Sequence, residues 1–338
     1  MGKIGSCRGI LTSLERGQKV SERDMEKEDQ GANRRSFLLG LGGLSATAFL
    51  GKRIAWSEEK KIPQMAFSTL ACPTWSLAKI LDFAQTHGFS GLEFRGLEGT
   101  MDLPTHAAFA AGAIEETKKQ IAAHGLRIAC ASSSARMGED DPAKRAKEVA
   151  DGKRFIDLAS ALGAPYVRVF GDGKEEPDGK PGDALKARVA SGLRELGEYA
   201  GPKNVTVLIE SHDNFTSSGN LKDVLTQAGS KHVALLWDAH HTFAAGGEDP
   251  EFTVGQLGPW IRHTHLKDSV GVGKDRKYVL TGRGNIPVER QIRALQKIGY
   301  GGFYCFEWEK VWHPELEAPE IAIADYANVV GPYLSRSR

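Results

Sequence analysis

Four short stretches of the 338-residue chain end an apolar run in groups that hold metal ions or move protons. They are Leu208-Ile209-Glu210-Ser211-His212, Leu236-Trp237-Asp238-Ala239-His240-His241, His263-Thr264-His265-Leu266-Lys267-Asp268 and Cys305-Phe306-Glu307-Trp308-Glu309. If these runs are neighbouring strands, Glu210, Asp238, His265 and Glu307 converge as three carboxylates and one imidazole. Bare carboxylates gathered at one point repel each other, and a cation is the physical remedy. A donor set of oxygens with one nitrogen suits one divalent ion, Mn²⁺ foremost, with Mg²⁺, Co²⁺ and Zn²⁺ as the other choices. Taken singly, each residue is as well explained by a salt-bridged strand end. Four on consecutive strands are not.

The elements that would position them follow from the pattern after Ile62, where short apolar runs alternate with longer amphipathic stretches. Strands are expected at 64–69, 91–95, 127–132, 166–170, 205–210, 233–238, 261–266 and 302–307. Several of these runs have adjacent apolar residues, as strands buried on both faces should. Helical spacing appears over 77–87, 107–124, 143–162, 183–199 and 287–298, and three of these end in His87-Gly88, His124-Gly125 and Leu162-Gly163. Dividing 58–338 by eight units gives about 35 residues each, which fits a single (β/α)8 TIM barrel. A doubly wound sheet would show a glycine-rich phosphate turn after its first strand. The sequence there is Ala71-Cys72-Pro73-Thr74-Trp75. In a barrel, catalytic groups sit at the carboxyl ends of the strands, where all four stretches end.

Composition narrows the function further. Lys plus Arg number 44 against 43 Asp plus Glu, a formal charge of +1, so the bulk positive potential of a nucleic-acid binder is missing. The four cysteines, Cys7, Cys72, Cys130 and Cys305, form no Cys-x-x-Cys pair, which argues against a disulfide framework or a zinc-thiolate site.

Residues 1–57 read as an address that precedes the fold. Asn33-Arg34-Arg35-Ser36-Phe37-Leu38-Leu39 opens an uncharged run of 14 residues from Phe37 to Leu50. This resembles a twin-arginine export signal, with Ala55-Trp56-Ser57 supplying small residues before a cut. The run is shorter than the roughly 20 residues that span a bilayer. The alternatives are an uncleaved anchor or a chance match, and Met25 is a second candidate start. Export implies passage through the twin-arginine machinery, a periplasmic or secreted location, and a mature chain with no stable membrane span. The sequence leaves a homo-oligomer open.

The pattern is similar to that of the sugar isomerase/epimerase family of xylose-isomerase-like barrels. The resemblance rests on Glu210 after its strand, Asp238-x-x-His241, His265 in His-x-His-Leu-Lys-Asp, and Glu307 after Gly301-Gly302-Phe303-Tyr304. It implies that Glu210, Asp238, His265 and Glu307 bind the metal, and that His241 and Lys267 contact a small sugar substrate. It further implies that Glu210 and Glu307 exchange a proton through an enediolate while Lys267 or His241 stabilises the oxyanion.

Glu93 and Arg95 end the second strand, where relatives contact sugar hydroxyls, with a salt bridge as the other reading. His212 either faces the same mouth or holds a ligand in place. Arg283, in Gly282-Arg283-Gly284-Asn285, is a candidate for an anionic or hydroxylated substrate, a bare turn being the alternative. His240 and His263 read as packing or supporting residues.

Two departures limit the likeness. The second and third strands lack the histidines of a trinuclear relative, and Gly271 stands where the tagatose-epimerase type has an arginine. The expected activity is therefore keto-sugar isomerisation or epimerisation. The alternatives are a metal-dependent lyase or dehydratase acting on a keto-sugar or 3-keto-glycoside, and a non-catalytic sugar-binding barrel.

Overall fold

A computed structural model describes residues 64–174 and 180–335, so the expected export segment, 1–57, lies outside the described residues. The strands in chain order are β1 (Met65–Ser68), β2 (Gly91–Phe94), β3 (Arg127–Gly138), β4 (Tyr166–Gly173), β5 (Thr206–Glu210), β6 (Val233–Asp238), β7 (Ile261–Leu266), β8 (Asp268–Val270), β9 (Lys277–Val279) and β10 (Tyr304–Phe306). All except β8 and β9 close into a parallel barrel in the order β1-β10-β7-β6-β5-β4-β3-β2. This is the expected eight-stranded barrel, and the four chemistry-bearing strand ends lie side by side on β5, β6, β7 and β10.

Burial on both faces explains the near-continuous apolar runs. Every residue of β6, from Val233 to Asp238, is buried. Val207, Ile209, Leu235 and Trp237 join the core between strands and helices, whereas Leu208, Ala234 and Leu236 form a separate cluster. Side chains alternate along a strand, so Glu210 shares the inward face with Leu208, and Asp238 shares it with Leu236. Higher in the barrel the interior turns polar, and Glu93, Arg168, Glu210, Asp238, His263 and His265 are all buried there.

The helices are α1 (Leu77–Thr86), α2 (Ile114–Ala123), α3 (Pro142–Leu162), α4 (Asp183–Ala200), α5 (Ser218–Ala228), α6 (Ala239–Ala244), α7 (Pro250–Leu257), α8 (Val288–Lys297) and α9 (Pro319–Ser335). Local chemistry sets their ends. Asp141 caps α3 by accepting the Lys144 N–H at 2.8 Å, Pro142 occupies the first turn, and Gly163 takes the left-handed φ of 72° that stops it. No helix among the described residues is long and apolar enough to cross a membrane.

Three expectations are corrected. The helix expected over 107–124 begins only at Ile114, because Ala107–Phe109 form a short 3₁₀ turn capped by the His106 ring. The third strand runs on from Ser132 to Gly138, where Ala135 and Met137 are buried and Arg136 is exposed, with irregular register against β4. The connection after β7 contains an antiparallel hairpin, β8 with β9, that was not foreseen.

Candidate metal centre

His265 organises the centre. Its Nε2 lies 2.8 Å from Glu93 Oε2, which also receives His263 Nε2 at 2.8 Å, while Ser68 Oγ donates to Glu93 Oε1 at 3.0 Å. With Nε2 committed to Glu93, Nδ1 points the other way, 3.0 Å from Glu210 Oε1, 3.3 Å from Glu307 Oε1 and 3.8 Å from Asp238 Oδ2. One ligand atom from each of Glu210, Asp238, His265 and Glu307 lies within 4.8 Å of the others, and all four residues are buried. A carboxylate on the far nitrogen of a ligand histidine fixes the tautomer and aims the free nitrogen at the ion. Glu93, expected at the substrate, is therefore placed behind His265 and shut off from solvent.

The other carboxylates are tied down unevenly. Asp238 Oδ1 accepts the His241 N–H at 3.0 Å, which caps α6, and the Asp238 N–H donates to Ser211 Oγ at 2.8 Å. Lys267 Nζ donates to Asp238 Oδ2 at 2.7 Å, makes a short contact with Glu307 Oε2, and pairs with Glu309 at 2.9 Å. Arg168 Nη1 stands 3.2 Å from Glu210 Oε2, an ion pair out of line for a hydrogen bond, and its guanidinium stacks on Phe170 at 4.0 Å.

Electrostatics follow from this packing. Burial opposes every charge here, yet His265 and His263 outweigh it and hold Glu93 well below the usual carboxylate range. Against the same burial, Arg168 and His265 lower Glu210. Burial pushes Asp238 up to about 6 even though Lys267 opposes the shift. His265 is raised well above the ordinary histidine value, because Glu307, Glu93 and Glu210 overcome the burial cost. Burial and the Lys267 charge drive His241 well below that value, so it is neutral.

These residues fit a divalent ion. The polar interior brings together five carboxylates, Glu93, Glu210, Asp238, Glu307 and Glu309, with three permanent cations, Arg95, Arg168 and Lys267. Once His265 gives up its proton to serve as a ligand, the shortfall is two positive charges. Glu210 Oε2 also keeps no hydrogen-bond partner despite its burial, a costly state for a buried carboxylate.

The other expected residues fall in different places. His241 Nε2, without a hydrogen-bond partner, is 3.5 Å from Asp238 Oδ2 at the rim of the cluster. His212 is one step further out, its ring 4.9 Å from that of His241 and its Nδ1 between Asp172 at 3.6 Å and Asp213 at 3.4 Å. Burial lowers its affinity for a proton, but those two carboxylates overcome this and raise it to about 11.

Arg283 is turned away from the cluster. Its side chain is 62% exposed and pairs with Asp325 on α9 at 2.7 Å. The glycine loop around it is built on Asp268, which accepts the N–H groups of Ser269, Gly282, Gly284 and Ile286 at 2.8 to 3.1 Å. A Cβ on Gly284 would stand 2.2 Å from Asp268 Oδ1, so only glycine closes this loop.

Sequence reasoning missed Arg168 and gave Glu309 no role. A signal for Arg168 was present, since an arginine inside Tyr166-Val167-Arg168-Val169 must face inward if both valines pack outward against helices.

The chain belongs to the xylose isomerase-like TIM barrel family, which it matches over residues 81–325. Its backbone is similar to that of an L-ribulose 3-epimerase, with a TM-score of 0.66 and 19% identity over 82% of this chain and 96% of the other. It is also similar to the probable 3-DHS dehydratase AsbF of Bacillus anthracis, with a TM-score of 0.66 and 18% identity over 79% and 98%. A third similar structure is a xylose isomerase-like TIM barrel protein from Mycobacterium smegmatis in complex with magnesium, with a TM-score of 0.63 and 18% identity over 82% and 98%. At such identities the likeness concerns the fold. No curated protein matches the sequence.

Proposed function

We propose that the protein is a divalent-metal-dependent isomerase or epimerase of a keto-sugar, removing a proton from the carbon beside a carbonyl and, through an enediolate, returning one to the other face of that carbon or to the former carbonyl carbon. The observation that carries this reading is the convergence of Glu210, Asp238, the Nδ1 of His265 and Glu307 within 4.8 Å at the carboxyl end of the barrel. A divalent ion held by these four would polarise a bound carbonyl and hydroxyl and so ease removal of the neighbouring proton. Glu210, kept as a carboxylate by Arg168, is suited to take that proton. Glu307, just after β10 and across the cluster, would deliver a proton drawn from solvent on the other side, while Glu210 releases its own to solvent. Lys267, charged and wedged between Asp238 and Glu307, balances the oxyanion as it develops. His241, neutral and with its Nε2 open, can bond a sugar hydroxyl.

Elimination is the second reading, because it starts from the same proton abstraction. Structures sharing this fold include both an epimerase and a probable dehydratase. Incubating the Mn²⁺-loaded protein with keto-sugars in D₂O tests both readings by mass spectrometry. Epimerisation or isomerisation adds one deuterium with no loss of mass, and elimination releases water or an aglycone. Absence of exchange and of release across ketohexoses, ketopentoses and 3-keto-glycosides would favour a sugar-binding barrel without turnover.

We also propose export through the twin-arginine route, supported by Arg34-Arg35 and the apolar run behind them. An Arg34→Lys/Arg35→Lys variant should keep the full-length chain in the cytoplasm, and unchanged fractionation would refute the route.

A further inference from the structure

We propose that the substrate carries a carboxylate at the end remote from its reacting carbons, and that Arg95, backed by Arg168, receives it. This inference rests on the keto-sugar reading above and narrows the substrate class to keto-sugar acids.

Arg95 follows directly on β2 and is 5% exposed, yet it has a single side-chain partner, Ser134 Oγ on β3, which accepts from Nη2 at 3.0 Å. Its Nη1 is buried and bonds nothing. Among the described residues, Arg95 forms no ion pair with a carboxylate, unlike Arg168 and Lys267 in the same interior. Arg168, 1% exposed on β4, has a buried Nε that is likewise without a partner. A buried guanidinium with open N–H groups is costly unless a ligand meets it. The two cations are also close enough to act on each other. Burial and the Arg168 charge bring Arg95 down to about 9. An anion between them removes both penalties.

The topology says where that anion lies. In the barrel order, β2, β3 and β4 face β6, β7 and β10 across the interior. Asp238, His265, Lys267 and Glu307 belong to the second group, so a substrate reacting there extends toward Arg95 with its other end. The guanidinium fork matches the two oxygens of a carboxylate. Arg168 is already engaged by Glu210, which leaves Arg95 as the one guanidinium of the two without a carboxylate at ion-pair distance among the described residues and favours a monoanion over a phosphate dianion.

Isothermal titration of the full chain loaded with Mn²⁺ tests this with three probes of one skeleton, D-fructose, D-fructuronate and D-fructose 6-phosphate. D-fructuronate should bind at least about tenfold tighter than D-fructose, the effect of one charge-assisted bidentate contact. Arg95→Met should abolish that preference while metal content, read by elemental mass spectrometry, stays the same, and Arg95→Lys should restore part of it. Equal affinity for fructuronate and fructose in the unmodified protein would overturn the carboxylate inference and leave the keto-sugar reading standing. Tighter binding of the phosphate ester would also overturn it, in favour of a dianion. Binding of none of the three by metal-loaded protein would overturn both readings.

Discussion

Two buried aspartates thirty residues apart show how a structural carboxylate differs from a working one. Asp268 accepts four backbone N–H groups, from Ser269, Gly282, Gly284 and Ile286, and its oxygens have no further demand. Asp238 accepts one backbone N–H, from His241, and turns its other oxygen to Lys267 and the cluster around His265. Asp238 follows the apolar Trp237 and Asp268 follows Lys267 just beyond Leu266, both are buried, and both have histidines or lysines close by in the sequence. What separates them is hydrogen-bond supply. A carboxylate saturated by its own backbone fixes a loop, whereas one left short of donors and crowded by like charges needs a cation.

The sharpest way to break that contrast is to remove each side of it. An Asp238→Ala/His265→Ala variant should fall from about one divalent ion per chain to almost none and lose activity by roughly three orders of magnitude or more, because half of the donors are gone. Its fold should survive, since loss of Asp238 relieves repulsion with Glu210 and Glu307 and so offsets part of the cost of taking the His265 charge away from Glu93, Glu210 and Glu307. Elemental analysis and circular dichroism read the two outcomes, and retention of the ion would remove the assignment. Asp268→Asn should do the reverse. Its amide can oppose only half of the four N–H donors, so stability should drop by about 3 kcal/mol, a lowering of Tm by several degrees, while the folded fraction still binds one ion. Loss of metal at unchanged Tm would show that Asp268 is not the purely structural partner.

A second difference is one of protons. Metal binding must displace the proton of His265, whose affinity for it is raised by Glu307, Glu93 and Glu210. Below pH about 6 it must also displace one from Asp238. Protons and the ion compete, so affinity rises with pH. The slope should be about tenfold per pH unit above 6, for as long as His265 keeps its proton, and about a hundredfold per unit below 6. Titrations across that range, with proton release counted in buffers of different ionisation enthalpy, check both slopes. Affinity independent of pH would mean that His265 and Asp238 are already deprotonated in the protein without metal.

These contrasts also explain which features the sequence revealed. The eight strands were legible because burial on both faces leaves runs such as Val233 to Trp237, and the site was legible because Glu210, Asp238, His265 and Glu307 end such runs. Depth inside the barrel was not legible. Glu93 has the same strand-end look as Glu210, yet the bond from Ser68 and the two histidines place it below the cluster. Arg168 was hidden because a charge within an apolar strand shows its direction only once the neighbouring strands are known. The start of α2 failed for a local reason, as Ala110 to Ala113 have helical composition but the His106 cap and the Thr117 Oγ1 bond to the Ala108 carbonyl fix a turn instead. The hairpin of β8 and β9 is too short to leave a periodic signal, each strand having three residues.

The smallest expected effect belongs to Arg283, and it is informative for that reason. Its position between two glycines suggests a phosphate or sugar loop, but Asp268 draws the backbone of that loop inward and leaves the Arg283 side chain facing α9. The pair with Asp325 is largely solvated on the arginine side, so it contributes less than about 1 kcal/mol. Arg283→Ala should therefore change Tm by no more than a few degrees and leave metal content and affinity for D-fructuronate within about twofold of the unmodified protein. Side by side with Arg95→Met, this separates two arginines that look equally placed for an anion in the sequence, one exposed and paired, the other buried with an open N–H. A large loss of binding on Arg283→Ala would mean that the glycine loop rearranges toward the mouth when substrate binds, and would move the anion site from β2 to the loop after β7.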